Sequence, residues 1–261
     1  MNILDTIIAH KKIEVAERRQ KVSVTELEKG KFFLNETLSL KSFLSDPNKT
    51  GIIAEYKRKS PSKGIINDKA TVEDVTSAYA KHGASGISVL TDTEFFGGSL
   101  DDLLAATINE VPLLRKDFMI DEYQLIEAKA FGAEVILLIA ACLTGAQVKT
   151  MAATAKRLGL EVLLEIHNDE ELDHICADVD LVGVNNRNLK TFEVSIDTSL
   201  NLINKIPKDK PAVAESGISD VDTIVTLRQA GFKGFLIGEN FMKQVSPSIA
   251  FADFVNQLKA S

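Results

Sequence analysis

The chain has 261 residues, 45% of them hydrophobic and 26% charged, enough for one large domain or two small ones. Thirty Lys and Arg against 37 Asp and Glu leave a net charge of −7, a poor balance for gripping nucleic acid by its phosphates. Fifteen Gly and six Pro exclude a collagenous or low-complexity chain, and two Cys (Cys142 and Cys176) exclude a disulfide framework and read as reduced thiols of a cytoplasmic protein.

Positions 1–19 place Ile3, Leu4, Ile7 and Ile8, and further on Ala16, at helical spacing among His10, Lys11, Lys12, Glu14, Glu17, Arg18 and Arg19. An amphipathic helix is expected there, not a signal peptide, which needs an unbroken apolar stretch. Positions 1–50 hold two or three helical pieces in all and end on Asp46-Pro47-Asn48-Lys49-Thr50. Eight short aliphatic runs follow, at 51–57, 86–92, 111–117, 135–141, 161–167, 181–187, 211–217 and 234–240. Near-continuous apolar runs of this length suit strands buried on both faces. Helical patterns separate them. The pattern at 72–82 follows a Thr71 cap with Asp74 three residues on, that at 144–158 stops at Gly159, and that at 220–230 stops at Gly231. Strand and helix alternating eight times predict an α/β chain folded as a (β/α)8 TIM barrel, with an open doubly wound sheet as the alternative. The expectation is a single domain, with 1–50 a helical extension and 51–261 the barrel. The longest apolar run, nine residues at 135–143, is far short of the roughly 18 needed to span a membrane, so no membrane partner is expected.

In such a barrel chemistry sits at the C-terminal strand ends. There the first strand carries Glu55 and Lys57, the third Lys116, the fifth Glu165, the sixth Asn185 and Arg187, and the seventh Glu215. Barrel interiors are mostly aliphatic, so three glutamates facing two lysines point to function more than to structural ion pairing. Ser216-Gly217 and Gly238-Glu239 end the last two strands, and small residues there suit a phosphate cradle, two plain glycine turns being the alternative. Phe95-Phe96 on the second loop reads as an aromatic wall or as packing. His167 follows a strand, but no His-x-x-x-His or Cys/His cluster makes a metal site, and neither metal nor cofactor is expected.

Together these residues resemble the indole-3-glycerol-phosphate synthase family. The likeness rests on Glu55-Tyr56-Lys57-Arg58-Lys59-Ser60-Pro61-Ser62-Lys63-Gly64, Phe96-Gly97-Gly98-Ser99, Leu114-Arg115-Lys116-Asp117-Phe118, Leu164-Glu165, Gly183-Val184-Asn185-Asn186-Arg187, Ala214-Glu215-Ser216-Gly217 and Ile237-Gly238-Glu239. It implies a single-function lyase of tryptophan biosynthesis. That enzyme converts 1-(2-carboxyphenylamino)-1-deoxyribulose 5-phosphate to indole-3-glycerol phosphate by ring closure, decarboxylation and dehydration.

The resemblance also implies roles. Lys116 is the general acid, with Glu55 paired to it. Glu165 is the acid/base partner for the hydroxyl, and Lys57 is the second cation, in reach of the carboxylate or the phosphate. Which lysine acts in which step stays open. Asn185 and Arg187 position substrate, with Glu215 supporting, and Ser216, Gly217, Gly238 and Glu239 hold the phosphate. Ser60, Pro61, Phe96, Phe118, Leu137, Ile139 and Leu189 wall the aromatic ring. Gly97 stands where many members have Asn, Asn186 where many have Ser, and the Glu239 carboxylate has to turn away from a phosphate. Residues 1–50 are expected to help cover the site mouth. The expected partner is a small phosphorylated substrate and the expected assembly a monomer, with a homodimer as the alternative. A phosphoribosyl isomerase on a related barrel and a non-catalytic phosphate-ligand sensor are the rival readings.

Overall fold

The computed structural model describes residues 3–261. All eight aliphatic runs form strands: β1 (Ile52–Tyr56), β2 (Gly86–Leu90), β3 (Leu113–Lys116), β4 (Val135–Ile139), β5 (Glu161–Ile166), β6 (Leu181–Asn185), β7 (Ala212–Glu215) and β8 (Gly234–Ile237). Each pairs in parallel with its sequence neighbours, and β1 also pairs with β8 through Ala54 and Ile237. The sheet is therefore a closed barrel, not an open one.

Alternation explains why the runs are apolar almost throughout. Successive side chains of a strand point to opposite faces, and here both faces are covered. Ile52, Ala54 and Tyr56 join the outer apolar layer under the helices. Ile53 points inward, in one cluster with Leu114, Leu137, Leu163, Leu181, Val213 and Leu236. Two residues on from Ile53, Leu114, Leu163 and Val213 come Glu55, Lys116, Glu165 and Glu215. All four lie on odd-numbered strands, and alternate strands of an eight-stranded barrel share interior layers. One layer at the C-terminal end therefore collects four charged side chains.

Helices cover the barrel at Val72–Lys81, Leu100–Ala106, Glu122–Ala130, Gly145–Arg157, Asp197–Leu202, Val221–Ala230 and Pro247–Ala260. The Thr71 cap read from sequence is in place, its hydroxyl accepting from Asp74 N at 3.2 Å. Thr144, the first position of the pattern at 144–158, is itself a cap, in a reciprocal capping box with Gln147. The strand–helix alternation fails once. After β5 the chain forms a 3₁₀ segment, Asp169–His174, in place of a helix. The run Asp169-Glu170-Glu171 offers no apolar stripe to bury, and the Asn168 cap draws Glu171 back toward the strand end.

Both ends of the barrel are closed by the residues preceding β1. The short helix Leu40–Ser45 plugs the N-terminal end, with Leu40 and Leu44 in the inner cluster. A Cβ at Gly86 would lie 2.7 Å from Leu40 Cδ1, so a larger residue there would push the plug aside. Burying one such leucine stabilises the fold by about 1.5–3 kcal/mol. At the other end lies α1 (Ile3–Lys21), whose buried stripe is Ile7, Lys11 and Val15. Positions 1 and 2 of the helix expected over 1–19 lie outside the described residues. Lys11 departs from the amphipathic reading, since it sits on the buried face. Cys142 and Cys176 are unpaired and half-buried. Among the described residues no helix is long and apolar enough to cross a membrane.

Candidate active site

A cavity of about 380 Å³ opens at the C-terminal ends of the strands. Its wall contains every residue to which the resemblance gives a role: Glu55, Lys57, Ser60, Pro61, Phe96, Lys116, Phe118, Leu137, Ile139, Glu165, Asn185, Arg187, Leu189, Glu215, Ser216, Gly217, Gly238 and Glu239. Ile3, Leu4 and Ile7 of α1 complete it, so the segment before the barrel does line the mouth.

The charged layer forms two ion-paired groups. Lys116 Nζ lies 2.8 Å from Glu215 Oε2 and 3.1 Å from Glu165 Oε2. Lys57 Nζ lies 2.7 Å from Glu55 Oε1. The expected pairing of Glu55 with Lys116 is thus corrected. Glu55 shares the layer, but Lys57 stands two residues away on the same face of β1 and takes its carboxylate. Space for the carboxylates comes from glycines. A Cβ at Gly183 would strike the Glu215 carboxylate, and one at Gly238 would strike that of Glu55.

Proton affinities follow from this geometry. Burial would strip Lys116 of its proton, but Glu215, Glu165 and Glu55 together hold it well above the ordinary lysine value. Burial also works to raise Glu165, yet Lys116, His167 and Asn185 outweigh it and keep this carboxyl below the usual range. Glu215 goes the other way. Burial, with Glu165 adding to it, overcomes Lys116 and pushes it up to about 7. One lysine is flanked by a permanent carboxylate and by one that takes a proton near neutrality.

Asn185 Nδ2 donates to Glu165 Oε1 at 3.1 Å, and its Oδ1 accepts from Arg187 N at 3.0 Å. Asn185 therefore orients Glu165. The Glu239 carboxylate lies 3.8 Å from Lys63 and 4.0 Å from Arg187. Ser216 and Gly217 both have positive φ, 66° and 75°. Such a backbone is uncommon for serine, and the Ser216 carbonyl is held by Asn186 Nδ2 at 3.1 Å. Gly238 caps the turn Glu239–Met242 without a side chain, which leaves the first N–H groups of that turn without intrahelical partners.

On the apolar side Phe96 and Phe118 stand 6.0 Å apart between centroids. Phe96 ends the turn Thr93–Phe96, capped by Asp92 and closed by Gly97 at φ 65°. Phe95 packs edge-on against His10 of α1. The ring wall of that pair is Phe96 alone.

Two features escaped the sequence reading. Lys11 Nζ is buried between Glu14 (2.7 Å), Asp92 (2.8 Å) and Asp117 (2.9 Å), tying α1 to the ends of β2 and β3. His167, set aside for want of metal-site spacing, lies 3.2 Å from Glu165. Lys11 carries no signal in spacing for Asp92 and Asp117, which come from distant strands, whereas Glu165 and Glu171 lie two residues before and four residues after His167, a proximity that metal-ligand spacing does not register. Among the described residues no group of His, Cys, Asp or Glu has metal-site geometry.

Comparisons with known proteins place the chain in a family. A profile described as indole-3-glycerol phosphate synthase matches residues 4–254. An indole-3-glycerol phosphate synthase of Bacteroides thetaiotaomicron is 46% identical over 259 residues, covering 99% of each chain. That of Polaromonas sp. is 43% identical, covering 96% of this chain and 97% of its own. That of Salinibacter ruber is 44% identical, covering 97% and 94%. A chain of a tryptophan synthase complex from Pyrococcus furiosus aligns with a TM-score of 0.60 at 16% identity, over 80% of this chain and 98% of that one, and shares the barrel fold. A profile match over residues 4–254 and relatives above 40% identity, added to a charged layer at the expected strand ends, lead to one conclusion: the chain belongs to the indole-3-glycerol phosphate synthase family.

Proposed function

We propose that this chain converts 1-(2-carboxyphenylamino)-1-deoxyribulose 5-phosphate to indole-3-glycerol phosphate, CO₂ and water. The observation that carries the reading is Lys116 held between Glu165 and Glu215 beside an aromatic-walled cavity. The ring carbon bearing the carboxylate attacks the ketone, a C–C bond forms, and the carbonyl oxygen takes a proton from Lys116. The carboxylate then leaves as CO₂ and its electron pair restores the aromatic ring. Finally the carbinol hydroxyl departs as water with a proton from an acid, and a base removes a proton from the new ring.

Glu165, kept ionised, serves as that base or guides the leaving hydroxyl. Glu215 is the carboxyl able to return a proton to Lys116. General acid–base help of this kind is worth roughly 10²–10⁴-fold per step. Lys57, held by Glu55, faces the substrate carboxylate or phosphate. Arg187 binds an anionic group of the substrate. Ser216, Gly217, Gly238 and the Glu239 backbone cradle the phosphate. Pro61, Phe96, Phe118, Leu137, Ile139 and Leu189 enclose the aryl ring, with Ser60 at the rim. We place the reaction in a cytoplasmic, monomeric protein.

Supplied with the carboxyphenylamino-deoxyribulose phosphate, the folded protein should generate indole fluorescence. The chain has no Trp to obscure the signal. No product from folded protein overturns the reading, and with it the choice over an isomerase or a sensor. Gly238→Ala supplies a narrower check. Its methyl group displaces the Glu55 carboxylate from Lys57, so kcat/KM should fall by about a hundred-fold with the melting temperature nearly unchanged. Steady-state kinetics and a thermal melt read both quantities.

A further inference from the structure

The one place where the barrel lacks its helix is also where a histidine is built into the charged layer. Asn168 caps the 3₁₀ segment Asp169–His174: its Oδ1 accepts from Glu171 N at 3.1 Å and its Nδ2 donates to Glu171 Oε1 at 3.2 Å. That turn returns Glu171 to the end of β5. There Glu171 Oε2 accepts from His167 N at 2.7 Å and lies 3.1 Å from His167 Nδ1. The other ring nitrogen, Nε2, is 3.2 Å from Glu165 Oε1. Both ring nitrogens face carboxylate oxygens, and only the imidazolium has a proton for each. The ring is 9% exposed, so solvent does little to screen it.

We propose that His167 is a positioning residue of the reaction: clamped by Glu171, its imidazolium fixes the Glu165 carboxylate and keeps it ionised while Lys116 gives up its proton. This rests on the proposed function. Among the described residues Lys116 is the only cation paired with Glu215, whereas Glu165 has both Lys116 and, at 3.2 Å, His167. When Lys116 is neutral, Glu215 loses its counter-charge and Glu165 keeps one. His167 therefore decides which of the two carboxylates takes a proton, and two equivalent groups become one acid and one base.

The surrounding groups allow this. Burial disfavours the imidazolium, but Glu165 and Glu171 prevail and push its pKa up to about 10. Cys142, packed from the turn after β4, is pushed up to about 12, chiefly by burial, and stays a neutral thiol. Asn185 reaches Glu165 from β6 without charge. His174, on the same 3₁₀ segment, is occupied with the Leu143 carbonyl at 3.0 Å.

Histidine ring NMR on the intact protein tests the clamp without any assay. The signal missing from His167→Gln should remain an imidazolium through pH 8, and a midpoint near the ordinary ~6.5 overturns the proposal whatever the activity. Kinetics test the consequence. His167→Gln should lower kcat by about ten- to a hundred-fold with KM little changed. The deficit should deepen from pH 8 to pH 6, because Glu165 without the imidazolium takes a proton more readily. His167→Lys, which keeps a cation, should recover part of the loss. A deficit equal at both pH values, or a Lys variant no better than Gln, overturns the proposal. Should His167→Gln fail to fold, Glu171→Gln replaces it in both measurements, lowering the imidazole midpoint and deepening the deficit in the same way. If the parent protein makes no product, the synthase reading fails, and the NMR midpoint still decides the clamp.

Discussion

Lys116→Met should lower kcat by about 10²–10⁴-fold while the barrel still folds. The substitution keeps an unbranched side chain one atom shorter and removes the proton it donates. Removing one partner of a buried ion pair is normally severe, because the other charge is stranded. Here two circumstances soften that. Glu165 retains His167 at 3.2 Å, and Glu215, already raised to about 7 chiefly by burial, can be neutralised with one proton. The variant should therefore melt higher at pH 6 than at pH 8. The sign follows from Glu215: a carboxyl raised in the folded state adds stability below its unfolded value and loses it as pH rises through the folded one. Product fluorescence, circular dichroism and melts at the two pH values check the three parts. Turnover at the parent rate removes Lys116 from the role of acid.

Lys11→Met should produce the largest loss of stability, about 3–5 kcal/mol, or very roughly 10 °C in the melt. Lys11 is 1% exposed, and the Asp92 and Asp117 side chains it bridges are at 0%. Without the ammonium two carboxylates remain buried with one cation fewer between them. Asp117 keeps Arg115 at 3.2 Å and the Thr91 hydroxyl at 2.6 Å. Among the described residues the Asp92 side chain keeps only its cap on Phe95 N at 2.7 Å. The deficit should therefore sit mainly on Asp92. Adding Asp92→Asn to Lys11→Met should restore part of it, since asparagine still caps. α1 also carries Ile3, Leu4 and Ile7 to the cavity wall, so the loosened helix should raise KM for the substrate. Denaturant titration of the parent, the single variants and the double variant reads the cycle. A loss below about 1 kcal/mol shows that the cluster does not hold α1 in place.

The barrel was legible because its signals are local. Eight runs that are apolar at consecutive positions, capped helices at 72–82, 144–158 and 220–230, and glycines at 159 and 231 each depend on a few neighbouring residues. The missing helix after β5 was less legible, since its acidic run reads as a first helical turn until the Asn168 cap is seen drawing Glu171 onto His167. Among site residues, those on strand ends were readable as members of the site. Alternation placed Glu55, Lys116, Glu165 and Glu215 on the inward face two residues beyond an apolar core position, and all of them reach one cavity. Their partners were not readable.

What the sequence by itself determined is therefore the number of strands, the strand end that carries each site residue, and the end of the barrel where chemistry collects. These follow from period-two alternation and capping, which act over a handful of residues. Only the tertiary structure decided who pairs with whom: Glu55 with Lys57, Lys116 with both Glu165 and Glu215, Lys11 with Asp92 and Asp117, His167 between Glu165 and Glu171. The contacts of Lys116 with two glutamates and of Lys11 with two aspartates depend on the stagger at which eight strands close and on where α1 crosses the mouth, whereas those of Lys57 and His167 join near neighbours in sequence that meet only because their side chains turn to one side at a strand end. Barrel closure is a property of the whole sheet, and no window of sequence contains it.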